Sequence, residues 1–432
     1  MSGTKLIMNF EVTPTSHGLV DYRARGGYAT LEKVLREMRP EEVTKEVSTA
    51  GILGHGGAAF PAGRKWGVIR LNDGLPHYLC CNADEGEPGT FKDRWILEHT
   101  PHLLIESMAI TAYALQVRHA FVYIRGEFDL PWRRIAAAVE EAYAAGYFGK
   151  PLFGSDFVCD LIVYRGAGSY VCGEASGLLT SLEGKRGYPR NRPPRLTVKG
   201  LYRRPTVVNN VETLANLVNI LRDGAAAFKS HGTPKNPGTR LISISGHIAK
   251  PGVYEIEIGY PWRTFLEEDC GGMMNDANLK CVIPGGISTK VLTASEIASL
   301  TLDSESVESA GSSMGSGGMI AIAEGTCMVR LLQVMLRFYH HESCGQCTPC
   351  REGMGWMHRI IDRIVAGQGV PEDIERLKQI SAWNDGNTIC GMGDAAGYAA
   401  LGILAKFGHE FDHYITHKRS LCDGNLECRA SS

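Results

Sequence analysis

The sequence has no long hydrophobic run and no excess of charge of one sign. No apolar stretch approaches the roughly 18 residues that cross a bilayer, although hydrophobic residues make up 44% of the chain. Lys and Arg number 45 against 47 Asp and Glu, so the chain lacks the polyelectrolyte character that suits nucleic acid or an anionic membrane. We therefore expect a soluble or peripherally attached protein that binds no nucleic acid and meets a membrane only indirectly.

A targeting signal is also missing from the first ten residues, which contain no apolar segment followed by small residues and no Arg- and Ser-rich stretch. The expected compartment is the reducing cytoplasm. Thirteen cysteines would not pair as disulfides there, and a clustered subset of them favours a metal site.

The 432 residues suggest two or three domains. Strand-like runs at 78–81, 120–124 and 157–164 alternate with helical stretches, which predicts a parallel α/β sheet. Residues 311–318 look like a flexible glycine/serine connection. The predicted parts are an N-terminal extension and lead-in helix (1–40), an α/β domain (41–230), a β-rich domain (239–310), a helical domain (326–414) and a tail (415–432).

The strongest chemical signal is the run of Cys344, Cys347 and Cys350, whose two-residue gaps let three thiolates converge on one metal core. Cys390 is the downstream candidate for the fourth ligand, and a helical hairpin would return it to the others. Four thiolates suit a [4Fe–4S] cluster or a structural zinc ion. The three-plus-one spacing favours the iron–sulfur cluster.

A glycine-rich loop at 54–66 is the second signal, and it follows a helical pattern at 40–49 instead of a strand. A standard Rossmann fingerprint is therefore disfavoured. Glycines let a backbone lie against a ring or a phosphate, Lys65 can neutralise an anion, and Phe60 can stack on a base. The alternative is an ordinary tight loop.

Three further segments carry polar groups at the ends of predicted elements. Residues 82–90 follow a strand and contain three carboxylates, and residues 165–174 form a strand end and glycine turn before a helix at 175–182. That geometry presents backbone N–H groups to a phosphate. Residues 207–213 open a helix, where Asn210 would either hold a ligand phosphate or simply cap the helix.

Together these five motifs resemble the NADH-binding flavoprotein subunit of respiratory complex I, the NADH-quinone oxidoreductase, from about Tyr22 to about Tyr414. The resemblance implies an α/β fold: a modified Rossmann-like FMN domain, then a β-grasp domain and a C-terminal helical bundle holding a [4Fe–4S] cluster. It implies no catalytic acid or base. Glu87 would position the nicotinamide, Glu85 would face the flavin, and Phe60 would stack on adenine. The implied cofactor-binding set is Gly54, Gly56, Gly57, Phe60, Lys65, Asn82, Asp84, Glu85, Glu87, Tyr170, Gly173, Glu174, Val208, Asn209, Asn210 and Thr213.

The function implied by the resemblance is electron input from NADH through FMN to the cluster and on to partner subunits. Those partners would be the [2Fe–2S] protein and the larger multi-cluster protein of complex I, on the inner face of the bacterial plasma membrane. Two alternatives stay open. One is the diaphorase subunit of a soluble NAD-linked formate dehydrogenase or hydrogenase, and the other is a degenerate structural subunit that no longer uses nicotinamide.

The sequence departs from the family pattern on the dinucleotide side. Ala175 stands where the family has a second glutamate, and Arg195 replaces an aromatic residue. In the glycine loop, His55 replaces an arginine, which removes a fixed positive charge. Loss of a carboxylate and gain of a cation predict relaxed or switched preference toward NADPH. The alternative is that Arg195 points into solvent. In the tail, Cys422 and Cys428 lack two further ligands and suggest a solvated end.

Overall fold

The structure is a computed structural model that describes residues 3–71 and 74–422, so Cys428 lies outside the described residues. A four-stranded parallel sheet forms the centre of the N-terminal half, in the order β3-β2-β1-β4. The predicted parallel α/β arrangement is confirmed. Its strands are β1 (Tyr78–Ala83), β2 (His119–Ile124), β3 (Asp160–Arg165) and β4 (Thr206–Asn210).

Strand β4 is absent from the sequence-based prediction, which interprets residues 207–213 as the opening of a helix. The helix begins only at Val211, and the five residues before it pair with β1. A strand this short shows no measurable period in the sequence.

Helices cover both faces of this sheet. The apolar helix α6 is buried along nearly its whole length and packs against α10. The helices of this half are α1 (Leu19–Ala24), α2 (Ala29–Glu37), α3 (Pro40–Ala50), α4 (Ala62–Trp66), α5 (Lys92–His99), α6 (Pro101–Ala114), α7 (Asp129–Ala144), α8 (Ala175–Leu182), α9 (Leu196–Lys199), α10 (Val211–Asp223) and α11 (Ala225–Lys229).

A mixed five-stranded sheet follows, in the order β6-β5-β9-β7-β8. Its central strand β9 starts at Gly318, so the flexible connection predicted at 311–318 ends one residue too late. The β-rich domain predicted to end at residue 310 also leaves this strand out. Its elements are β5 (Thr239–Gly246), β6 (Gly252–Glu257), α12 (Trp262–Thr264), β7 (Leu279–Ile283), β8 (Leu292–Thr293), α13 (Ala294–Ile297), α14 (Ser304–Ser309) and β9 (Gly318–Ala323).

The described residues of the C-terminal part form a helical bundle, as predicted, and the bundle has four helices. Met328, Leu332, Met335 and Tyr339 recur three or four residues apart and are all buried, which is the pattern of a helix with one core-facing side. None of the helices that the structure describes is long and apolar enough to cross a bilayer. The four helices are α15 (Met328–Glu342), α16 (Thr348–Val365), α17 (Glu372–Asn384) and α18 (Gly391–His417).

Candidate functional site

The carboxyl ends of β1 and β4 meet at one edge of the first sheet. Asn82 is the register partner of Asn210, and Cys81 that of Asn209. Because parallel strands end at the same edge, two segments far apart in the chain become neighbours there. Ligands of open α/β sheets bind at this edge, which makes it the candidate flavin site.

The glycine loop closes over this edge. The Gly54 N–H donates to the Phe60 carbonyl at 3.0 Å, and the His55 N–H donates to Thr213 Oγ1 at 2.9 Å. A Cβ at Gly56 would lie 3.0 Å from Cβ of Asn210, and Gly57 has a φ of +118° with open space around it. A side chain would be strained at Gly57 and would crowd Asn210 at Gly56, and without side chains the loop backbone can lie close to a flat ligand.

Lys65 supplies a positive charge at the same edge. Its ammonium donates to the Val208 carbonyl at 2.7 Å, and no carboxylate of the described residues forms an ion pair with it. Burial, together with repulsion from Arg192, lowers the pKa of Lys65 to about 8. A half-buried ammonium without a carboxylate partner suits an anion such as the phosphate of FMN.

Two of the three carboxylates after β1 are buried. The Asp93 and Arg94 N–H groups, in the first turn of α5, donate to Glu85 at 2.8 and 3.0 Å. Burial raises the pKa of Glu85 to about 8 and that of Asp84 to about 7. Both oxygens of Glu85 are thus engaged within the protein, and this residue orders the loop that follows β1.

Glu87, the third carboxylate, joins the two sheets. It accepts hydrogen bonds from the Ser288 N–H at 2.8 Å, the Ser288 hydroxyl at 2.6 Å and the Tyr170 hydroxyl at 2.5 Å. Ser288 is not among the residues predicted from the sequence, although the turn at Gly285 and Gly286 just before it is a visible signal. These bonds fix the position of the carboxylate predicted to meet the nicotinamide.

Glu174 caps the helix whose N-terminus is predicted to face a phosphate. Its carboxylate accepts from the Ser176 and Gly177 N–H groups at 2.8 and 3.0 Å and pairs with Arg192 at 2.6 Å. These two N–H groups are therefore already bonded and do not face a phosphate. Gly173 is held close to β1, since a Cβ there would lie 3.2 Å from the Asp84 carbonyl.

Asn210 takes the capping role that the sequence leaves open. Its side-chain oxygen accepts from the Glu212 and Thr213 N–H groups at 3.0 and 3.4 Å, and its amide donates to Asp93 at 2.5 Å. Asn209 accepts from the Trp66 indole at 3.3 Å. Both amides hold the scaffold beneath the glycine loop.

A buried charge network lies behind the glycine loop. Glu212, fully buried, pairs with His55 Nδ1 at 3.0 Å and with Lys92 Nζ at 2.7 Å. It also accepts from the Leu241 N–H at 2.7 Å. Burial opposes its ionisation, but the interactions with His55 and Lys92 outweigh burial and hold the pKa of Glu212 below its ordinary value. The network therefore ties the loop to both α5 and β5.

The four predicted ligand cysteines lie at the end of the helical bundle that faces the first domain. Cys347 is the N-cap of α16, Cys390 is the N-cap of α18, and Cys350 lies in the first turn of α16. Burial raises the pKa of Cys390 to about 12, with smaller contributions from Glu174 and from Cys350 and Cys344. Within residues 3–71 and 74–422 no three metal-ligand side chains already surround one point, so the ligand set stays a prediction.

Two of these cysteines border the flavin domain directly. Cys344 and Cys390 pack against the apolar cluster that contains Val171, Cys172 and Val208. The Tyr170 N–H also donates to Glu342, at the end of α15, at 3.1 Å. The turn after β3 thus touches both the proposed flavin edge and the cysteines.

The residues predicted to meet the dinucleotide lie at the surface. Phe60 is 48% exposed, and Arg195 is exposed at the start of α9. Ala175 is half-buried in the first turn of α8. His55, which replaces the family's arginine in the glycine loop, is buried and pairs with Glu212.

Comparisons with known proteins agree with this architecture. Three family models match: the Nuo51 FMN-binding domain over 47–219, the SLBB domain over 240–309, and the NADH-ubiquinone oxidoreductase-F iron-sulfur binding region over 330–414. The chain is therefore an FMN-binding α/β protein joined to a [4Fe–4S] helical region. The fold class and these two cofactors are confirmed.

Individual relatives identify the family. The second F-type subunit of NADH-quinone oxidoreductase from Rhizobium meliloti is 45% identical over 96% of this chain and 98% of its own length. The Mycobacterium bovis F-type subunit is 45% identical over 94% of this chain and 91% of its own. The chain belongs to the family of F-type subunits of NADH-quinone oxidoreductase, as the resemblance predicts.

The fold is also similar to solved chains of NAD⁺-reducing [NiFe]-hydrogenase. In the air-oxidised state the TM-score is 0.79 at 35% identity, covering 87% of this chain and 63% of the other. For the H₂-reduced state the TM-score is 0.80 at 33% identity, and the match covers 92% of this chain and 67% of the other.

Proposed function

We propose that this chain oxidises NADH at FMN and passes single electrons to its [4Fe–4S] cluster and then to partner subunits of an NADH:quinone oxidoreductase. The observation that carries the proposal is the packing of Cys344 and Cys390 against the turn at Val171 and Cys172, next to the flavin edge. Bound FMN supplies hydride acceptance and one-electron release. The short path through that turn favours transfer from one cofactor to the other.

The residues around this edge of the first sheet would bind and orient the cofactors. The glycine loop would lie along the flavin, Lys65 would neutralise its phosphate, and Asn82 and Asp84 would hold its polar groups. Glu87, fixed by Ser288 and Tyr170, would position the nicotinamide. Cys344, Cys347, Cys350 and Cys390 would hold the cluster. The domain limits 41–230 and 326–414 are proposed with these roles, and the β-rich domain predicted at 239–310 is proposed to extend to Ala323, so that it includes β9.

NADH added anaerobically to the reconstituted protein tests this function. Bleaching of the flavin absorbance followed by an EPR signal of a reduced [4Fe–4S] cluster is the expected result. Unchanged flavin absorbance would favour the degenerate structural subunit instead.

The electron acceptors would be the [2Fe–2S] protein and the multi-cluster protein of the complex. With them the chain would sit on the inner face of the bacterial plasma membrane. A second candidate, the diaphorase of a soluble hydrogenase, is favoured by the similarity to the NAD⁺-reducing [NiFe]-hydrogenase chains. Co-purification with quinone-reducing subunits or with a hydrogenase distinguishes the two.

Replacing Lys65 with methionine should weaken FMN binding by about ten- to a hundredfold, because one charge-assisted contact contributes about 1.5–3 kcal/mol. In the unmodified protein FMN affinity should fall as pH rises through about 8, where the free Lys65 loses its charge. Quenching of flavin fluorescence measures both effects. Arg64→Met changes an exposed neighbour and should bind normally; an unchanged affinity in Lys65→Met would contradict the assigned role.

The preference toward NADPH is proposed for the same two reasons as in the sequence: Ala175 removes a carboxylate that would repel a 2′-phosphate, and Arg195 adds a cation that would pair with it. Ala175→Glu should lower the NADPH-to-NADH ratio of kcat/KM by about tenfold or more. Ala175→Gln, similar in size but uncharged, should change the ratio much less. Strong NADH preference in the unmodified protein would show the idea to be wrong.

A further inference from the structure

The segment predicted as a flexible glycine/serine connection, 311–318, is packed in its second half, residues 314–318, which we call the platform. The Ser316 N–H and hydroxyl donate to the Gly285 carbonyl at 3.1 and 3.2 Å. The Gly286 N–H donates back to the carbonyl of the last platform residue at 2.5 Å. The platform therefore supports the tight turn that contains these two glycines.

This turn carries the groups that hold Glu87. Ser288 follows Gly286 by two residues and donates to Glu87 through its N–H at 2.8 Å and its hydroxyl at 2.6 Å. A Cβ at Gly286 would overlap the Glu87 side chain, so bare backbone lies against this carboxylate. The Ser316 hydroxyl also forms a hydrogen bond with the Thr90 hydroxyl, three residues beyond Glu87. A displacement of the platform would therefore move the carboxylate predicted to position the nicotinamide.

Arg240 holds the start of the platform. This residue of β5 is 5% exposed, and its guanidinium donates to the Gly315 carbonyl at 2.5 Å and to the Met314 carbonyl at 3.4 Å. No carboxylate in the described part of the chain forms an ion pair with it, and its Nε has no hydrogen-bond partner there. Burying a guanidinium without an ion pair is unfavourable. The two carbonyls, and not a charge partner, thus fix where this side chain lies.

We propose that Arg240 is a positioning residue for nicotinamide binding: it holds the platform, and the platform holds Ser288 on Glu87. The inference rests on the proposed function, because it takes Glu87 to meet the nicotinamide. Loss of the guanidinium frees the Met314 and Gly315 carbonyls and loosens the turn that the platform supports. Nicotinamide binding then weakens, while the flavin edge, which other residues build, stays intact.

The test uses the FMN-loaded full chain with ferricyanide as the electron acceptor. In Arg240→Met the KM for NADH should rise about tenfold while kcat stays within about twofold, because a hydrogen bond from a charged donor is lost. Arg240→Lys should recover most of the affinity, since an ammonium can still donate to Gly315. Ser316→Ala removes a neutral hydrogen bond of the same platform and should raise the KM about threefold.

Amide hydrogen exchange gives a readout that does not depend on activity. Exchange of residues 285–288 should be about tenfold faster or more in Arg240→Met, with exchange of the glycine loop at 54–66 unchanged. Glu255→Gln is the matched control, because Glu255 is 1% exposed in the same sheet but its carboxylate accepts from the N–H groups of residues 6–8 instead of holding the platform. The KM and the exchange of 285–288 should stay normal in this variant.

A normal KM in both Arg240→Met and Ser316→Ala, or an equal rise in Glu255→Gln, would overturn the positioning role. If Arg240→Met does not fold, Ser316→Ala and the incomplete recovery in Arg240→Lys decide the same question. Failure of the proposed function looks different, because NADH would then leave the flavin of the unmodified protein unbleached.

Discussion

Replacing Cys390 with serine is expected to abolish the iron–sulfur cluster and to leave flavin chemistry in place. Cys390 is half-buried at the N-cap of α18 and packs against the flavin domain. A hydroxyl in its place is a poor ligand for iron, because the ligand in such clusters is a thiolate. Iron and acid-labile sulfide should fall to background, and electron transfer to partner subunits should drop by about a hundredfold or more.

The measurement combines iron analysis, EPR and NADH-driven reduction of ferricyanide. The last should stay near its normal rate, because the flavin edge is built by other residues. Cys327→Ser provides a matched control: Cys327 is also the N-cap of a bundle helix, α15, but lies outside the predicted ligand set. A full cluster in Cys390→Ser, or its loss in Cys327→Ser, would refute the assignment.

Truncating Glu212 to alanine should destabilise the first domain by about 3–5 kcal/mol, since it leaves the charge of buried Lys92 with one partner fewer. It also removes the acceptor of the Leu241 N–H and the partner of His55. Thermal unfolding followed by circular dichroism measures the loss. FMN affinity should fall as well, because the glycine loop is held through His55.

Glu32→Ala is the control, since it breaks the exposed ion pair with Arg36 on α2 and should change stability by about 0.5 kcal/mol at most.

The pH dependence of the free energy of unfolding gives a second test of the role of Glu212. The pKa of Glu212 is lowered in the folded state. Its contribution to the free energy of unfolding is therefore fully present above the ordinary glutamate pKa, and it is lost as pH falls below that value. Glu212→Ala should therefore flatten the acid limb of the stability curve; an unchanged limb would contradict the network.

The chemistry is easier to predict from the sequence than the scaffold. The spacing of Cys344, Cys347 and Cys350 is a local pattern with a local meaning, and so is a carboxylate-rich loop after a strand. Strands β4 and β9 escape prediction because each is short and follows a segment with turn or helix signals. Only pairing with distant strands makes them strands, and a single sequence does not show that pairing.

The detailed roles of polar residues are harder still. Glu174 and Asn210 each cap the helix that follows them. The sequence allows either capping or ligand binding for these side chains, and only their positions in the fold show which role they take. Ser288 reaches Glu87 across 201 positions of sequence, so no window along the chain could join them. The sequence shows that His55 replaces an arginine in the glycine loop, but it does not show that His55 pairs with Glu212 in the interior.

The two N-caps at the cysteines have an electrical consequence. Cys347 and Cys390 begin α16 and α18, and the N-terminus of a helix carries a partial positive charge. A cluster held by these residues gains a negative charge on reduction, and both helices stabilise that state. We therefore expect a higher reduction potential than for the same cluster without them, which an EPR-monitored redox titration can measure. Both helices would thus favour electron transfer from the flavin toward the bundle.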